Sequence, residues 1–220
     1  MRRDDLINLV LMRSGRRHED EYLQSAARLE IALIQTRLEE GVQVPAAQGA
    51  GIFYPWFLLN GELTPFACEP FTRRLALPED FIALPEDGGM QLQTVEGHWK
   101  HLPRGDYDVL FKRYPERGTP QYFAWVGNSM YLFPEPDVAY DIRFMYYARQ
   151  PALSANIENA WTTHCPGLLM AELGLVLAER YLMNQEQAAA FIREIDLERA
   201  KLHARNTEQE MAGRNLIMGE

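Results

Sequence analysis

The chain has 220 residues, of which 47% are hydrophobic and 24% are charged, as expected for a globular protein with one large domain or one domain that carries an insertion. Its formal net charge of −9 argues against a general affinity for nucleic acid, which relies on Lys and Arg to neutralise phosphates, and against electrostatic docking on anionic lipid. DNA can still pass close to such a surface without binding to it. Since no stretch approaches about 18 apolar residues, we predict no membrane-spanning helix.

The cysteine content is low and the N-terminus carries early charges. Cys68 and Cys165 lie far apart and form neither a disulfide framework nor a Cys-x-x-Cys motif, so we expect two buried hydrophobic side chains in a reducing compartment. Asp4, Asp5 and Asn8 stand at the start of a short apolar run, which is not typical of a signal peptide. These features predict a protein that is cytosolic or that is part of something assembled in a cytosol.

The first 41 residues predict two helices. The segment "RDDLINLVLMRSG" places acidic residues at its start, Leu6, Leu9 and Val10 at helical spacing, and Gly15 as a stop. The segment "EDEYLQSAARLEIALIQTRLEEG" predicts a second helix that ends at Gly41. The predicted apolar stripe of this second helix consists of Tyr22, Ala26, Leu29, Leu33, Ile34 and Leu38.

The middle of the chain, about residues 42–150, has the character of β-structure and holds most of the prolines and aromatics. Asn60-Gly61 is a hairpin-turn dipeptide, and "YFAWVGNSMYLFPEPD" predicts two strands joined at Gly127-Asn128. We predict a small antiparallel sheet with one buried face, in which residues 128–153 form a hairpin that turns at "PEPD". The residues predicted to share the face of its second strand are Tyr140, Ile142, Phe144 and Tyr146.

The last part of the chain is again helical. The segment "CPGLLMAELGLVLAERYL" predicts a helix that begins near Pro166, since proline suits the first position of a helix. A further helix follows after a break near Asn184, and its apolar stripe fades after Leu202. Because the rest is polar apart from an isolated "LIM", we predict an extended C-terminal tail over residues 206–220 that is frayed or ordered by a partner.

These patterns together predict an α+β fold. We expect residues 1–41 and 154–205 to pack as a helical bundle made from the two ends of the chain. Residues 42–153 are then an inserted β-rich subdomain with antiparallel strands.

A search for catalytic and metal-binding patterns finds nothing specific. No glycine-rich phosphate loop, Gly-x-Ser-x-Gly or His-Glu-x-x-His motif occurs. His98 and His101 have a spacing that two metal ligands can use but no evident third ligand, and His164 beside Cys165 is poorly placed for a thiol–imidazole pair. We therefore predict no catalytic residue, no metal and no cofactor. The carboxylates of the two "LPED" segments are interpreted as solvated turn acids: Glu79, Asp80, Glu86 and Asp87.

Aromatic residues are concentrated in "IFYPWFLL" and in the predicted strands. A row of aromatics can stack bases in single-strand binders, but that function needs interleaved basic residues, and these strands hold mainly Arg143 and Arg149. Packing in a core or in a protein interface is the better explanation. The aromatics concerned are Tyr54, Trp56, Phe57, Trp125, Tyr131, Phe133, Tyr140, Tyr146 and Tyr147.

The order of several segments resembles a known family. After the N-terminal helix come an aromatic "YPWF", the element "LPEDFIAL", the run "GTPQYFAWVGNSMYLFPEPDVAYDIRFMYYARQPALS" and the helix start "NAWTTHCPGLLMAELGLVLAERYL". Each element is a weak signal, but their order over about 150 residues is similar to that of the head-to-tail adaptor proteins of tailed bacteriophages, of the type found in short-tailed phages such as SU10. The resemblance covers nearly all of the chain up to about residue 200.

The resemblance implies a structural role in the virion. Such adaptors form a ring of about twelve copies beneath the portal protein, complete the head, help to retain the DNA and offer a platform for tail and nozzle proteins. DNA passes through their channel without specific binding, no membrane is involved, and they have no catalytic residues. The negative charge of this chain fits such a channel. The predicted 128–153 hairpin is then scaffold, with a rim that contacts a neighbour or a tail protein.

Two segments are candidates for contacts with other proteins. We expect the C-terminal segment to reach the portal or an adjacent subunit, with Leu216, Ile217 and Met218 as a small apolar anchor. The small-residue loop Val42–Gly51 is expected to contact the tail or to line the channel. The candidate partner-contact residues are Arg199, Leu202, Arg205, Met211, Arg214, Leu216, Ile217 and Met218.

Three other functions are considered. An enzyme with a site built from scattered residues would show a buried His or acid with a strongly shifted pKa in a cleft. A tail-tube or nozzle subunit would be rich in β-structure throughout, whereas this chain starts and ends with helices. A single-strand-binding module would need a basic groove, which the net charge disfavours.

Overall fold

The computed structural model describes residues 1–16, 20–44, 49, 51–60, 66–85, 90–94 and 96–217, with only the backbone of Phe66 and of residues 210–217. The chain is an α+β protein with antiparallel sheets. It divides into two compact units: a helical unit, Met1–Leu58 with Arg149–Glu220, and a β unit, Leu59–Ala148. The β unit is shorter at both ends than the expected segment 42–153, because β1, β2 and the segment from Arg149 belong with the helices.

The described residues form short strands and longer helices. The α-helices are α1 (Arg3–Arg13), α2 (Glu21–Glu39), α3 (Tyr107–Arg113), α4 (Ala160–His164), α5 (Pro166–Val176) and α6 (Gln185–Ile217). A 3-10 turn, Trp56–Leu58, precedes the β unit, and a π turn, Leu177–Tyr181, extends α5. The strands are β1 (Val42–Gln43), β2 (Ile52–Phe53), β3 (Leu59–Asn60), β4 (Phe66–Cys68), β5 (Arg74–Ala76), β6 (Phe81–Ala83), β7 (Gln91–Gln93), β8 (Trp99–His101), β9 (Tyr122–Val126), β10 (Ser129–Phe133), β11 (Tyr140–Arg143) and β12 (Tyr146–Ala148).

Helix α5 is the centre of the helical unit. It packs against α1, α2, α4 and α6, and it begins at Pro166 as predicted. A helix that is apolar on nearly all sides is typically buried, and the sequence "PGLLMAELGLV" has this character. The buried residues of α5 are Leu168, Leu169, Ala171, Glu172, Leu173, Gly174 and Val176.

The predicted apolar stripe of α2 is partly wrong. Ala26, Ile34 and Leu38 are buried, but Tyr22, Leu29 and Leu33 are 71%, 72% and 63% exposed. The face that packs inward instead contains polar residues whose groups are paired inside the unit: Glu30, Gln35 and Glu39. Periodicity could not show this, because α2 carries apolar residues on two adjacent faces.

Helix α6 also departs from the prediction. The preceding helical segment ends just before α6, where Met183 lies in the left-handed region at φ 51°. This agrees with the helix break predicted near Asn184. The predicted extended tail over 206–220 is corrected, because α6 continues to Ile217 and only residues 218–220 lie outside the described range. The residues 206–217 are mainly good helix formers such as Glu, Gln, Met, Ala, Arg and Leu, so polarity alone was a poor guide.

The described residues of the β unit form three antiparallel sheets with strand orders β5-β10-β9, β4-β11-β7-β8 and β3-β12-β6. The predicted turn at Gly127-Asn128 is confirmed by the pairing of Ser129 with Val126. The predicted hairpin at "PEPD" is wrong, because β10 and β11 belong to different sheets. Pro134 and Pro136 have no N–H to donate, so the ladder cannot continue through this connection. Gly61 lies outside the described residues, so the Asn60-Gly61 turn stays a prediction.

The alternation in "AYDIRFMYY" nevertheless predicts burial correctly. Tyr140, Ile142 and Phe144 are buried, and Tyr146 is half-buried against the same core. The segment breaks after Arg143, so β11 and β12 are separate strands in separate sheets. The main core of the β unit consists of Cys68, Leu75, Met90, Leu92, Leu102, Phe123, Met130, Leu132, Tyr140, Ile142 and Phe144.

We predict that Gly174→Ala destabilises the protein although it lies inside a helix. Alanine is favoured over glycine in helices by about 1 kcal/mol. A Cβ at Gly174, however, would lie 2.4 Å from Cε1 of Phe191, so the α5–α6 contact must open. We expect the free energy of unfolding to fall by about 1–2 kcal/mol, since overpacking a core outweighs the gain in propensity.

Urea denaturation of the protein and its Gly174→Ala variant measures this difference. Adding Phe191→Leu to Gly174→Ala should recover part of the loss, because the smaller side chain leaves space for the new methyl group. A Gly174→Ala variant that is more stable than the parent would show that α5 and α6 do not pack this closely.

Candidate interaction site

The histidines and cysteines considered for chemistry have structural surroundings. His98 and His101 are exposed, and the described residues hold no cluster of three or more His, Cys, Asp or Glu placed to bind a metal. The ring of His164 stacks on Phe57 with centroids 5.1 Å apart. Burial, opposed by nearby Arg205, raises the pKa of the Cys165 thiol to about 12, so it is a poor nucleophile. Cys68, also buried as predicted, has its pKa raised to about 11 by burial.

The acidic residues of the first "LPED" segment do not meet in a cleft. Glu79 is exposed, and Oδ1 of Asp80 accepts a hydrogen bond from the Tyr146 hydroxyl at 3.0 Å. Burial raises the pKa of Tyr146, and the bond to this carboxylate adds to that shift. Glu86 and Asp87 of the second segment lie outside the described residues.

The aromatic residues pack against one another and against arginines. Within the helical unit, Phe57 meets the buried Trp161 edge-on at 5.1 Å. In the β unit, Tyr131 packs edge-on against Tyr107 at 4.9 Å, and Phe81 packs against Trp125 at 5.3 Å. These contacts support the interpretation of the aromatics as packing residues rather than as a base-stacking row.

Pairs between arginine and aromatic rings in the β unit were not predicted. The guanidinium of Arg143 lies 4.0 Å from the ring centroid of Trp99, and that of Arg117 lies 4.6 Å from Phe71. Arg73 lies within about 5 Å of Phe133. The partners are far apart in sequence, so no local pattern indicates them. Arg73 and Arg143 are half-buried in this packing, whereas Arg117 is exposed.

The first part of the predicted C-terminal contact segment packs inside its own unit. Leu202 is fully buried, and Arg205 donates to the backbone oxygen of His164 at 3.2 Å. The side chain of Asn206 is also buried, and its Oδ1 accepts a hydrogen bond from the Trp56 backbone N–H at 2.7 Å. Leu202 therefore has no outer surface to offer in this conformation. The buried face of α6 therefore continues past Leu202 to Asn206, and hydropathy does not reveal this because Asn206 is polar.

The second part of that segment has a described backbone only. Met211, Arg214, Leu216 and Ile217 lie in the last turns of α6. Met218 lies outside the described residues. The role of these residues as partner contacts stays a prediction. The contact would be made by the end of α6 rather than by an extended tail.

A buried carboxylate joins three helices of the helical unit. Glu172 in α5 is 2% exposed and forms ion pairs with Arg37 of α2 and Arg199 of α6. The Arg199 Nη2 to Glu172 Oε1 distance is 2.8 Å. A buried charge is costly unless it is paired, so these bonds fix the positions of α2 and α6 beside α5.

A second buried network fixes the chain where it re-enters the helical unit. Oε1 of Glu39 accepts hydrogen bonds from Gln35 Nε2, from the Gln150 N–H and from Trp161 Nε1, at 2.9, 3.1 and 3.2 Å. Oε1 of Gln35 accepts from the Leu153 N–H at 3.2 Å. These hydrogen bonds hold residues 150–153, where the chain returns from the β unit, against the C-terminal end of α2.

The loop Val42–Gly51 has a described base. Val42 and Gln43 pair with Phe53 and Ile52, and the Val44 N–H donates to the Gly51 oxygen at 2.9 Å. Residues 45–48 and 50 lie outside the described range, so its contact with the tail or the channel stays a prediction.

Comparison with known proteins identifies a family. The model of the family described as SU10 adaptor protein matches residues 4–217. No curated protein matches the chain. Among the helices in the described ranges, none has both the length and the apolar character that crossing a membrane requires.

We predict that Asn206→Ala destabilises the protein by about 1–3 kcal/mol, because it leaves the Trp56 N–H without its acceptor in a poorly hydrated position. The matched control is Gln209→Ala, an exposed position one turn further along the same helix. Urea denaturation of both variants measures the difference. Equal midpoints for Asn206→Ala and Gln209→Ala would contradict the anchoring of α6 on the Trp56–Leu58 turn.

Proposed function

Because the chain belongs to the SU10 adaptor protein family, whose members are structural adaptor proteins of phage virions, we propose that it forms a homo-oligomeric ring beneath the portal and connects the capsid to the tail. The observation that carries this proposal is the family match over residues 4–217. We propose a ring of about twelve copies, whose centre is part of the channel through which the genome passes during ejection.

The charge of the chain supports passage of DNA rather than its binding. The formal net charge of −9 provides little attraction for phosphates. Arg143 in the β unit is half-buried and packs on the ring of Trp99. We propose that DNA slides through the ring without a specific site and that the protein performs no catalysis.

The helical unit and the β unit are proposed to have different roles. We propose that the helical unit is a bundle formed by both ends of the chain and that the β unit is an insertion into it. The buried networks of Glu172 and Glu39 make the helical unit suited to bear contacts with other subunits. The β unit and the loop Val42–Gly51 are the proposed platform for tail or nozzle proteins.

The end of α6 is the proposed contact with the portal or an adjacent subunit. Asn206 of α6 accepts a hydrogen bond from Trp56, and Met211, Arg214, Leu216, Ile217 and Met218 follow it in the chain. At about 1.5 Å per residue, the eleven residues from Thr207 to Ile217 add roughly 16 Å of helix. This length suits a projection toward a second protein.

Binding to the portal ring of the same phage tests the proposed function. We would mix the two purified proteins at moderate salt, sediment the mixture and image the peak fraction. The expected result is a second ring of density stacked beneath the portal, whose copy number can be counted. Absence of association across moderate salt concentrations would contradict the proposal, and a mixture with a basic protein of similar size controls for non-specific charge.

We predict that deleting Glu210–Glu220 leaves the helical unit folded but reduces the amount of protein that co-sediments with the portal at least tenfold. The deletion begins after Asn206, because that residue packs on Trp56 and its loss would confuse folding with binding. Thermal unfolding of the shortened protein provides the folding control. Normal attachment of the shortened protein would remove the end of α6 from the proposed contact.

A further inference from the structure

Helix α2 carries an exposed apolar ridge on its outer face. Tyr22, Leu29 and Leu33 are 71%, 72% and 63% exposed. Ser25 and Ala32 lie on the same face, are also exposed and carry no charge. We call these five residues the α2 ridge. At these exposures the described part of the same copy does not cover the ridge, and exposed apolar surface of this kind is typical of a contact with another protein.

Helix α6 runs antiparallel to α5 and continues well past the point where α5 begins. Gly174 of α5 lies against Phe191 of α6, and Gly167, near the start of α5, lies against Glu198. Residues 207–217 of α6 therefore begin about two turns beyond the start of α5. They form a projecting helical segment, which we call the α6 end.

The face of α6 that packs on its own unit continues into the α6 end. Leu202 and Asn206 are buried and mark this face. Gly213 and Ile217 follow Asn206 by seven and eleven residues, spacings that keep residues on one face of a helix. The positions beside them on this face are Gln209, Ala212 and Leu216. The packing face of the α6 end therefore carries no charged residue.

The last turns of α6 need a second surface for their stability. Gly213 and Asn215 are weak helix formers, and a helical segment of eleven residues gains little stability from propensity alone. Packing of its uncharged face supplies what propensity does not. The α2 ridge has a suitable length, since Tyr22 to Leu33 covers about 18 Å at helical rise and the α6 end covers about 16 Å.

We propose that copies of this chain associate head to tail, with the α6 end of one copy packed along the α2 ridge of the next. Ala212 and Gly213 leave space for the large side chains of the ridge, as in ordinary packing of the ridges of one helix into the grooves of another. This inference rests on the proposed ring and deepens it, because it assigns the α6 end to the neighbouring subunit rather than to the portal.

The relation between the two surfaces indicates a second copy as the occupant of the ridge. They are different surfaces of one helical unit, so each copy uses its α6 end on one neighbour and its α2 ridge on the other. Such a contact leaves one surface of each kind free until a ring closes, whereas a two-fold dimer would use the same surface on both partners. In a closed ring every exposed ridge is covered without any further protein.

Cross-linking between two single-cysteine variants tests the contact. Ser25→Cys places a thiol on the α2 ridge at an exposed position, and Ala212→Cys places one in the middle of the α6 end. Equal amounts of the two variants are assembled on the portal, treated with a short bis-maleimide and separated under denaturing conditions. The native Cys68 and Cys165 are buried with raised pKa values, so they should react little.

The expected result is a band at twice the monomer mass in the mixed assembly. Neither variant alone should give this band. Ala190→Cys, an exposed position on another part of α6, should not give it when mixed with Ala212→Cys. Thermal unfolding of each variant confirms that it is folded.

A charge on the ridge provides a second measurement. Leu29→Lys should reduce the yield of rings about tenfold or more, because the contact would bury an unpaired ammonium group. The matched control is Leu197→Lys, which changes a leucine of α6 that is 54% exposed and lies outside both surfaces. Thermal unfolding should be unchanged in both variants, since both side chains face solvent within one copy.

Each contrary outcome overturns the inference in a distinct way. Rings that assemble without the mixed cross-link, and that also form with Leu29→Lys, would contradict the contact and leave the proposed function intact. A cross-link with Ser25→Cys alone would show that two α2 ridges meet. A cross-link from Ala212→Cys to the portal protein, without the mixed band, would place the α6 end on the portal. If the unmodified protein does not assemble on the portal, the proposed function fails and this inference fails with it.

Discussion

The ion pairs of the buried Glu172 carboxylate are the constraint on which the helical unit depends. An acidic residue within the apolar helix α5 must be paired, since an isolated buried charge is costly. Its two partners come from α2 and from α6, so one side chain sets the distance between helices that are far apart in sequence. A cavity of about 370 Å³ lies beside these ion pairs, and its lining includes Arg37 of α2, Leu175 of α5 and Arg199 of α6.

This constraint relates the fold to a role in assembly. The buried hydrogen bonds of Glu39 fix the returning chain, and Asn206 fixes α6 on the Trp56–Leu58 turn. Large apolar side chains remain on the outside, among them Leu9, Met12 and Leu29. Exposed apolar surfaces of this kind are typical of protein–protein contact sites. Such contacts are expected of a protein whose family consists of virion adaptors.

Local patterns in the sequence predicted what depends on neighbouring residues. Pro166 marked the start of α5, Gly127-Asn128 marked the turn between β9 and β10, and the order of the segments indicated the family. The errors concern contacts between distant segments. Leu29 was predicted to be a core residue because α2 has two apolar faces, but it is exposed. Asn206 was assigned to the polar tail because its hydrogen bond from the Trp56 N–H joins residues 150 positions apart, which no local pattern indicates. The strands around "PEPD" alternated correctly, but their partners were β5 and β4 rather than each other.

A density map of the ring assembled on the portal, at a resolution that separates helices, tests the central claim most directly. The account predicts a closed ring of this protein stacked on the portal, with the end of α6 of every copy against the portal or a neighbour. A ring in which the end of α6 faces solvent in every copy would contradict the proposed contact of this helix. A portal that carries no ring of this protein would contradict the assignment of its function.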